Sequence, residues 1–297
     1  MAFVRPSVIA TEATQLDPNY AEAWATLSAF WRNYAVSDAT DDIDQAYASA
    51  RAAAAKAFAL DPKSIDALLV MSALAVAPDL DFASAEKYAR RAHELAPGTV
   101  EGLADLGSAL IAEGRLQEAE PIRLKITAAD PLQGSSYQTG LVLVGLHRYA
   151  EAGAMFTKYL EMKPKAARVH TQFATLDILE NNPKGALEHA SLEQEGIWRD
   201  FATAMALEAS GDKPAAHAAL QAFIDKYAKT ASFQVAILYA QRHEPDEMFK
   251  WLETAYANRD AGLVRIFVIP FLMDYRDDPR FAAFCRKLGI ENLPPKS

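Results

Sequence analysis

From Leu103 to Pro131 the chain reads LADLGSALIAEGRLQEAEPIRLKITAADP, and each residue type has a place there in a pair of packed helices. Leu103, Leu106 and Leu110 form an apolar stripe on a first helix. Gly107 lets a neighbouring backbone approach, and Gly114 supplies the permissive residue that ends the helix. Ala119 lies on a second helix, where a larger side chain would force the pair apart. Pro131 closes the unit.

That closing step recurs at Leu16-Asp17-Pro18, Leu60-Asp61-Pro62, Leu95-Ala96-Pro97, Ala129-Asp130-Pro131 and Met162-Lys163-Pro164. The prolines are 44, 35, 34 and 33 residues apart, and a period near 34 marks stacked helix-turn-helix units. The pattern resembles tetratricopeptide repeats. It predicts an all-α, right-handed superhelical solenoid with a C-terminal helical cap.

Other units follow the same scheme. The first carries Trp24, Leu27, Ala50 and Ala57, with Asn33 to Asp44 expected as an inter-helix loop about ten residues longer than the period requires. The second carries Leu68, Met71, Ala85 and Ala92; the fourth Tyr137, Leu141, Ala152 and Phe156; the fifth Phe173, Ala174 and Ala186. Beyond Pro164 the closing proline disappears, but Ala204, Gly211 and Ala216 mark a sixth unit and Val235, Ala236, Tyr239, Leu252 and Ala255 a seventh. We divide the chain into a truncated first repeat that supplies a second helix only (1–20), an array of about seven repeats (21–261), and a cap and tail (262–297). Val8 to Leu16 then lacks a first helix to pack on, so an upstream output domain or another molecule is expected to cover it.

Three segments carry a finer resemblance: Leu16-Asp17-Pro18-Asn19-Tyr20-Ala21-Glu22-Ala23-Trp24, Ala83 to Ala92, and the tail from Leu238-Tyr239-Ala240 to Asp278-Pro279-Arg280-Phe281. They resemble the tetratricopeptide half of bacterial winged-helix transcriptional regulators and class III nucleotide cyclases. The resemblance implies a protein-interaction or sensor module that regulates a signalling output. A metabolite-sensing superhelix and a structural adaptor without output are the alternatives.

Composition bounds the chemistry. The 297 residues carry a net charge of −9, which argues against direct nucleic-acid binding, because phosphate neutralisation needs a basic stripe. One cysteine, Cys285, allows no internal disulfide and reads as a buried small hydrophobe. The apolar start, Met1 to Ala10, is too short for a signal sequence, and no run reaches bilayer length. The expectation is a cytoplasmic protein without membrane association. The six histidines follow no ligand spacing, no phosphate-binding or nucleophile motif occurs, and Asp41-Asp42 and Asp277-Asp278 read as turn or cap pairs. No catalytic residue, metal or cofactor is expected.

In tetratricopeptide repeats the first helices line a concave groove, where chaperone-binding members use Lys, Asn and Arg to clamp a terminal carboxylate. The fifth repeat position here holds Ala25, Leu69, Ala104, Gln138, Thr171, Phe201 and Phe233, so that clamp is missing. Early groove positions are acidic (Glu22, Asp66, Glu101); later ones are apolar. Leu69, Trp198, Phe201, Met205, Phe233 and Ile237 are therefore the candidate anchors for a bound protein or peptide segment, with inter-repeat core as the competing role for the aromatic residues.

Overall fold

The computed structural model describes residues 4–35, 42–97, 99–129, 135–291 and 293, and among them all regular structure is helical. The chain forms two compact units, Met1–Leu110 and Ile111–Ser297. In unit 1, α1 (Val4–Leu16) packs on the pair α2 (Ala21–Ala35) and α3 (Ile43–Leu60), followed by the pair α4 (Ile65–Val76) and α5 (Phe82–Leu95) and the start of α6 (Val100–Ala112). Side chains placed one residue before each helix start its turns: Asp42 accepts from the Gln45 N–H, Ser64 from Ala67 and Asp81 from Ser84. Ala50, Ala54, Ala57, Ala85, Ala89 and Ala92 are fully buried, which is why the second helix of each pair is so rich in alanine. Ser28 donates to the Ala50 carbonyl at 2.9 Å and Ser72 to that of Ala85 at 3.0 Å. Both serines join the two helices of their own pair, at a depth where an unpaired hydroxyl would be costly.

The first pair differs from expectation. α2 has 15 residues and α3 has 18, against 12 and 14 in α4 and α5. Most of the extra length thus extends the helices rather than the loop, as the good helix former alanine along α3 favours. Residues 36–41 of the expected loop, with Asp41, lie outside the described residues, as do Asp130-Pro131 and the tail 294–297.

Unit 2 contains α7 (Leu116–Ala129), α8 (Ser135–Gly145), α9 (Tyr149–Met162), α10 (Val169–Leu179), α11 (Pro183–Leu192), α12 (Ile197–Ser210), α13 (Lys213–Tyr227), α14 (Ser232–Gln241) and α15 (Pro245–Ala257). α8 pairs with α9, α10 with α11, α12 with α13 and α14 with α15. Prolines after Pro164 change their job: Pro183, Pro245 and Pro279 sit in the first turn of a helix instead of behind its last, where their missing N–H has no helical partner to lose.

The turns between successive helices keep the period that the prolines lose. Gly114, His147, Asn181, Gly211 and His243 all have positive φ, at 76°, 59°, 58°, 80° and 59°. Two of the six scattered histidines are thereby placed as left-handed turn residues. His243→Gly removes the steric penalty of a side chain in that conformation and is expected to raise stability by about 1 kcal/mol. Chemical denaturation measures it; a loss of stability would show that the imidazole contributes more than its backbone costs.

After α15 come a 3-10 stretch (Ala261–Val268), α16 (Pro270–Met273) and α17 (Pro279–Lys287). α17 packs on α15, with Lys287 on Glu253 at 2.6 Å and Arg280 on Asp246 at 2.7 Å. Cys285 is fully buried, and burial pushes its thiol up to about 12. A thiol-selective reagent should therefore label the native protein negligibly and the unfolded protein fully.

Candidate partner-binding face

The 3-10 stretch does more than seal the seventh pair. It packs on α14 and also on α8, the first helix of the fourth unit. A Cβ placed on Gly145 would stand 3.1 Å from the Val268 Cα and 3.2 Å from the Phe267 carbonyl oxygen. Both distances are tighter than ordinary contact, so a larger residue here would press the two backbones apart. Leu263, Ile266, Phe267 and Val268 are buried, and α8 is buried along nearly its whole length. Asp260 fixes the entry to the stretch, accepting from the Phe233 N–H at 3.0 Å and the Gly262 N–H at 2.8 Å.

This changes the standing of the predicted anchors. Phe201 and Met205 on α12 are 5% and 2% exposed, and Phe233 and Ile237 on α14 are 1% and 3% exposed. The Phe201 ring lies 5.8 Å from that of Phe223 on the partner helix α13, within the pair's own core. The Phe233 ring is covered by Gly262, where a Cβ would come within 2.4 Å of it. These four residues are core rather than open anchors. A helical period locates the inner side of α14 but carries no sign that a later segment returns to cover it. Leu69 in unit 1 and Trp198 in unit 2 are half-buried.

Trp198 belongs to a polar cluster that the sequence reading did not assemble. The Arg168 guanidinium lies over its ring at 4.3 Å from the centroid. Arg168 precedes α10 with φ 76°, in the left-handed conformation. Tyr137 on α8 is 8% exposed, its ring 5.7 Å from Phe156 and 5.5 Å from Tyr159. Burial pushes the Tyr137 phenol up, against the charges of Arg265 and Arg168 and a hydrogen bond with Gln172. Burial, and then the like charge of Arg265, pulls the Arg168 guanidinium below its ordinary range. The 3-10 stretch is what brings Arg265 here. Below the cluster, the buried Glu193 carboxylate accepts from the Thr171 N–H and hydroxyl, both at 3.1 Å, and from the Gln194 N–H at 3.0 Å.

Unit 1 offers a different concavity, a cleft of about 440 Å³ lined by Phe58, Leu68, Lys87, Tyr88 and Arg91 among others. Its two arginines are already paired, Arg90 with Glu86 and Arg91 with Glu94. Among the described residues no cluster of three or more His, Cys, Asp or Glu could hold a metal ion, and no helix is long and apolar enough to cross a membrane.

Solved structures place the architecture. PilF of Pseudomonas aeruginosa is 18% identical with a TM-score of 0.53, over 74% of this chain and 97% of its own. PilW, a type IV pilus biogenesis factor, is 18% identical with a TM-score of 0.56, over 70% and 96%. Yeast Tom70 is 16% identical with a TM-score of 0.53, over 96% of this chain and 62% of its own. The paired helices and these likenesses define the tetratricopeptide-repeat fold. No family model and no curated protein matches the chain.

Proposed function

We propose that the chain is a non-catalytic interaction module that takes up a segment of a partner protein at the Arg168–Trp198 cluster, beside the inner side of α8 and α14 that the 3-10 stretch covers. The observation that carries this reading is the half-buried Arg168–Trp198 stack beside Tyr137. It is a polar, aromatic patch beside an inner face that apolar packing otherwise closes, and it combines the residue types that anchor protein contacts. The finer proposal is that partner binding regulates a bacterial signalling output in the cytoplasm, transcription or cyclic-nucleotide synthesis. The resemblance of the segments Leu16 to Trp24, Ala83 to Ala92 and Leu238 to Phe281 supports it.

A photo-crosslinking amino acid at Gln172, introduced into the chain in its native cell, tests the module. A discrete protein adduct is expected from Gln172 on α10 and not from the exposed Lys184 on α11. Equal labelling at both positions, or none, overturns the reading. Loss of the chain should shift transcript or cyclic-nucleotide levels; unchanged levels would reduce the module to an adaptor.

A further inference from the structure

We propose that Arg168 and Arg265, with Tyr137, Gln172 and Trp198 around them, form an oxyanion site that receives a carboxylate side chain of an acidic peptide segment. The proposal rests on the interaction-module reading and names the chemistry of what the module takes.

The 3-10 stretch that carries Arg265 packs on α8, and Arg168 lies over Trp198 beside it, so the charges of two arginines from unrelated parts of the chain act on Tyr137 and on each other. Several other arginines of unit 2 hold a carboxylate. Arg115 holds Glu118 at 2.7 Å, Arg148 holds Glu151 at 2.6 Å, and Arg242 holds Glu208 at 2.6 Å. The chain has 39 acidic residues against 30 Lys and Arg, so carboxylates are not scarce. Yet among the described residues neither Arg168 nor Arg265 has one within 4.0 Å. The acid whose charge acts on Arg168 is Glu193, and its oxygens are taken by Thr171 and Gln194.

Two like charges held together with partial loss of solvent repel, and an oxyanion between them removes that repulsion and fills both sets of donors. The donors of the Arg168 guanidinium, held over Trp198, suit the planar fork of a carboxylate. Tyr137 and Gln172, which hydrogen-bond to each other, flank the two charges. The net charge of −9 disfavours a free, multiply charged anion more than a single carboxylate delivered by a peptide with contacts of its own. The site is distinct from a clamp at the fifth repeat position: Arg168 precedes its helix, and Arg265 lies outside the repeats.

The probes are acetyl-hexaglutamate amide, its glutamine counterpart and inorganic phosphate, titrated into the full chain while the arginine Nε–H resonances are read by NMR. Hexaglutamate should shift Arg168 and Arg265 together, and the shift should weaken between about 0.05 M and about 0.5 M salt. Arg168→Gln and Arg265→Gln should each cut hexaglutamate affinity about tenfold or more, with Arg265→Lys intermediate and thermal unfolding confirming that each variant folds. Phosphate binding as tightly as hexaglutamate would assign the site to a free anion and overturn the peptide assignment. Hexaglutamine binding equally well, or no shift at either arginine, overturns the site itself. Crosslinking from Gln172 reads uptake of any protein segment, whatever its charge, whereas the titration reads charge selectivity in the chain with Gln172 intact, so the two readings fail separately.

Discussion

Phe156→Ala lowers the free energy of unfolding by about 3–5 kcal/mol. The ring is fully buried on α9 and holds three helices at once: Gly140 and Tyr137 of α8 lie against it, and Phe173 of α10 meets it edge-on at 6.1 Å between centroids. Removing it takes away the contact between one helix pair and the next, and close-packed neighbours refill such a void only in part. The same geometry explains Gly140, whose added Cβ would come within 2.4 Å of the ring. Gly140→Leu alone should destabilise by overpacking, whereas in the Phe156→Ala background the new side chain has the vacated volume to enter. A coupling of about 1–3 kcal/mol by urea denaturation is expected. Additive effects would mean that the ring is not what requires the glycine.

Gly145→Val should cost about 1–3 kcal/mol and concentrate its damage in one place. Its side chain would strike the Leu116 side chain, which can turn away, and the backbone of Phe267 and Val268, which cannot move without undocking the 3-10 stretch. Hydrogen exchange should rise across Leu263 to Val268 while the caps of α12 and α13 keep their protection. Arg265 leaves with the stretch, so hexaglutamate affinity falls in this variant although both arginines are intact. Unchanged exchange across the stretch would show that α8 does not hold it.

The helix pairs were legible because each is encoded locally. Apolar residues at helical spacing, alanines such as Ala50 and Ala119, and the prolines to Pro164 all act within one unit. Past Pro164 the proline signal faded because those residues now open helices, while the left-handed turn positions kept the repeat in a less visible form: His147, Asn181 and His243 in place of glycine. Trp198 was found, but as an apolar anchor, since nothing near it in sequence announces the guanidinium on its face. Core was the competing role for Phe233, and it is the one the structure shows, but what covers the ring was hidden for a related reason. Gly262 covers it, in a stretch that also makes a contact between Gly145 and Val268, and neither of those two residues carries a local sign of the other.

That contact also sets how the molecule should come apart. A linear array whose units touch only their neighbours can fray from its end, each pair leaving at its own denaturant concentration. In Ile111–Ser297 the last segment is instead moored to the fourth unit, so the fifth, sixth and seventh pairs are enclosed in a loop that cannot lose a member while the mooring holds. Closing that loop adds sequence separation to the contacts, which slows folding. In return it converts stepwise unzipping into a single cooperative transition, in which the pairs between α8 and the 3-10 stretch stand or fall together.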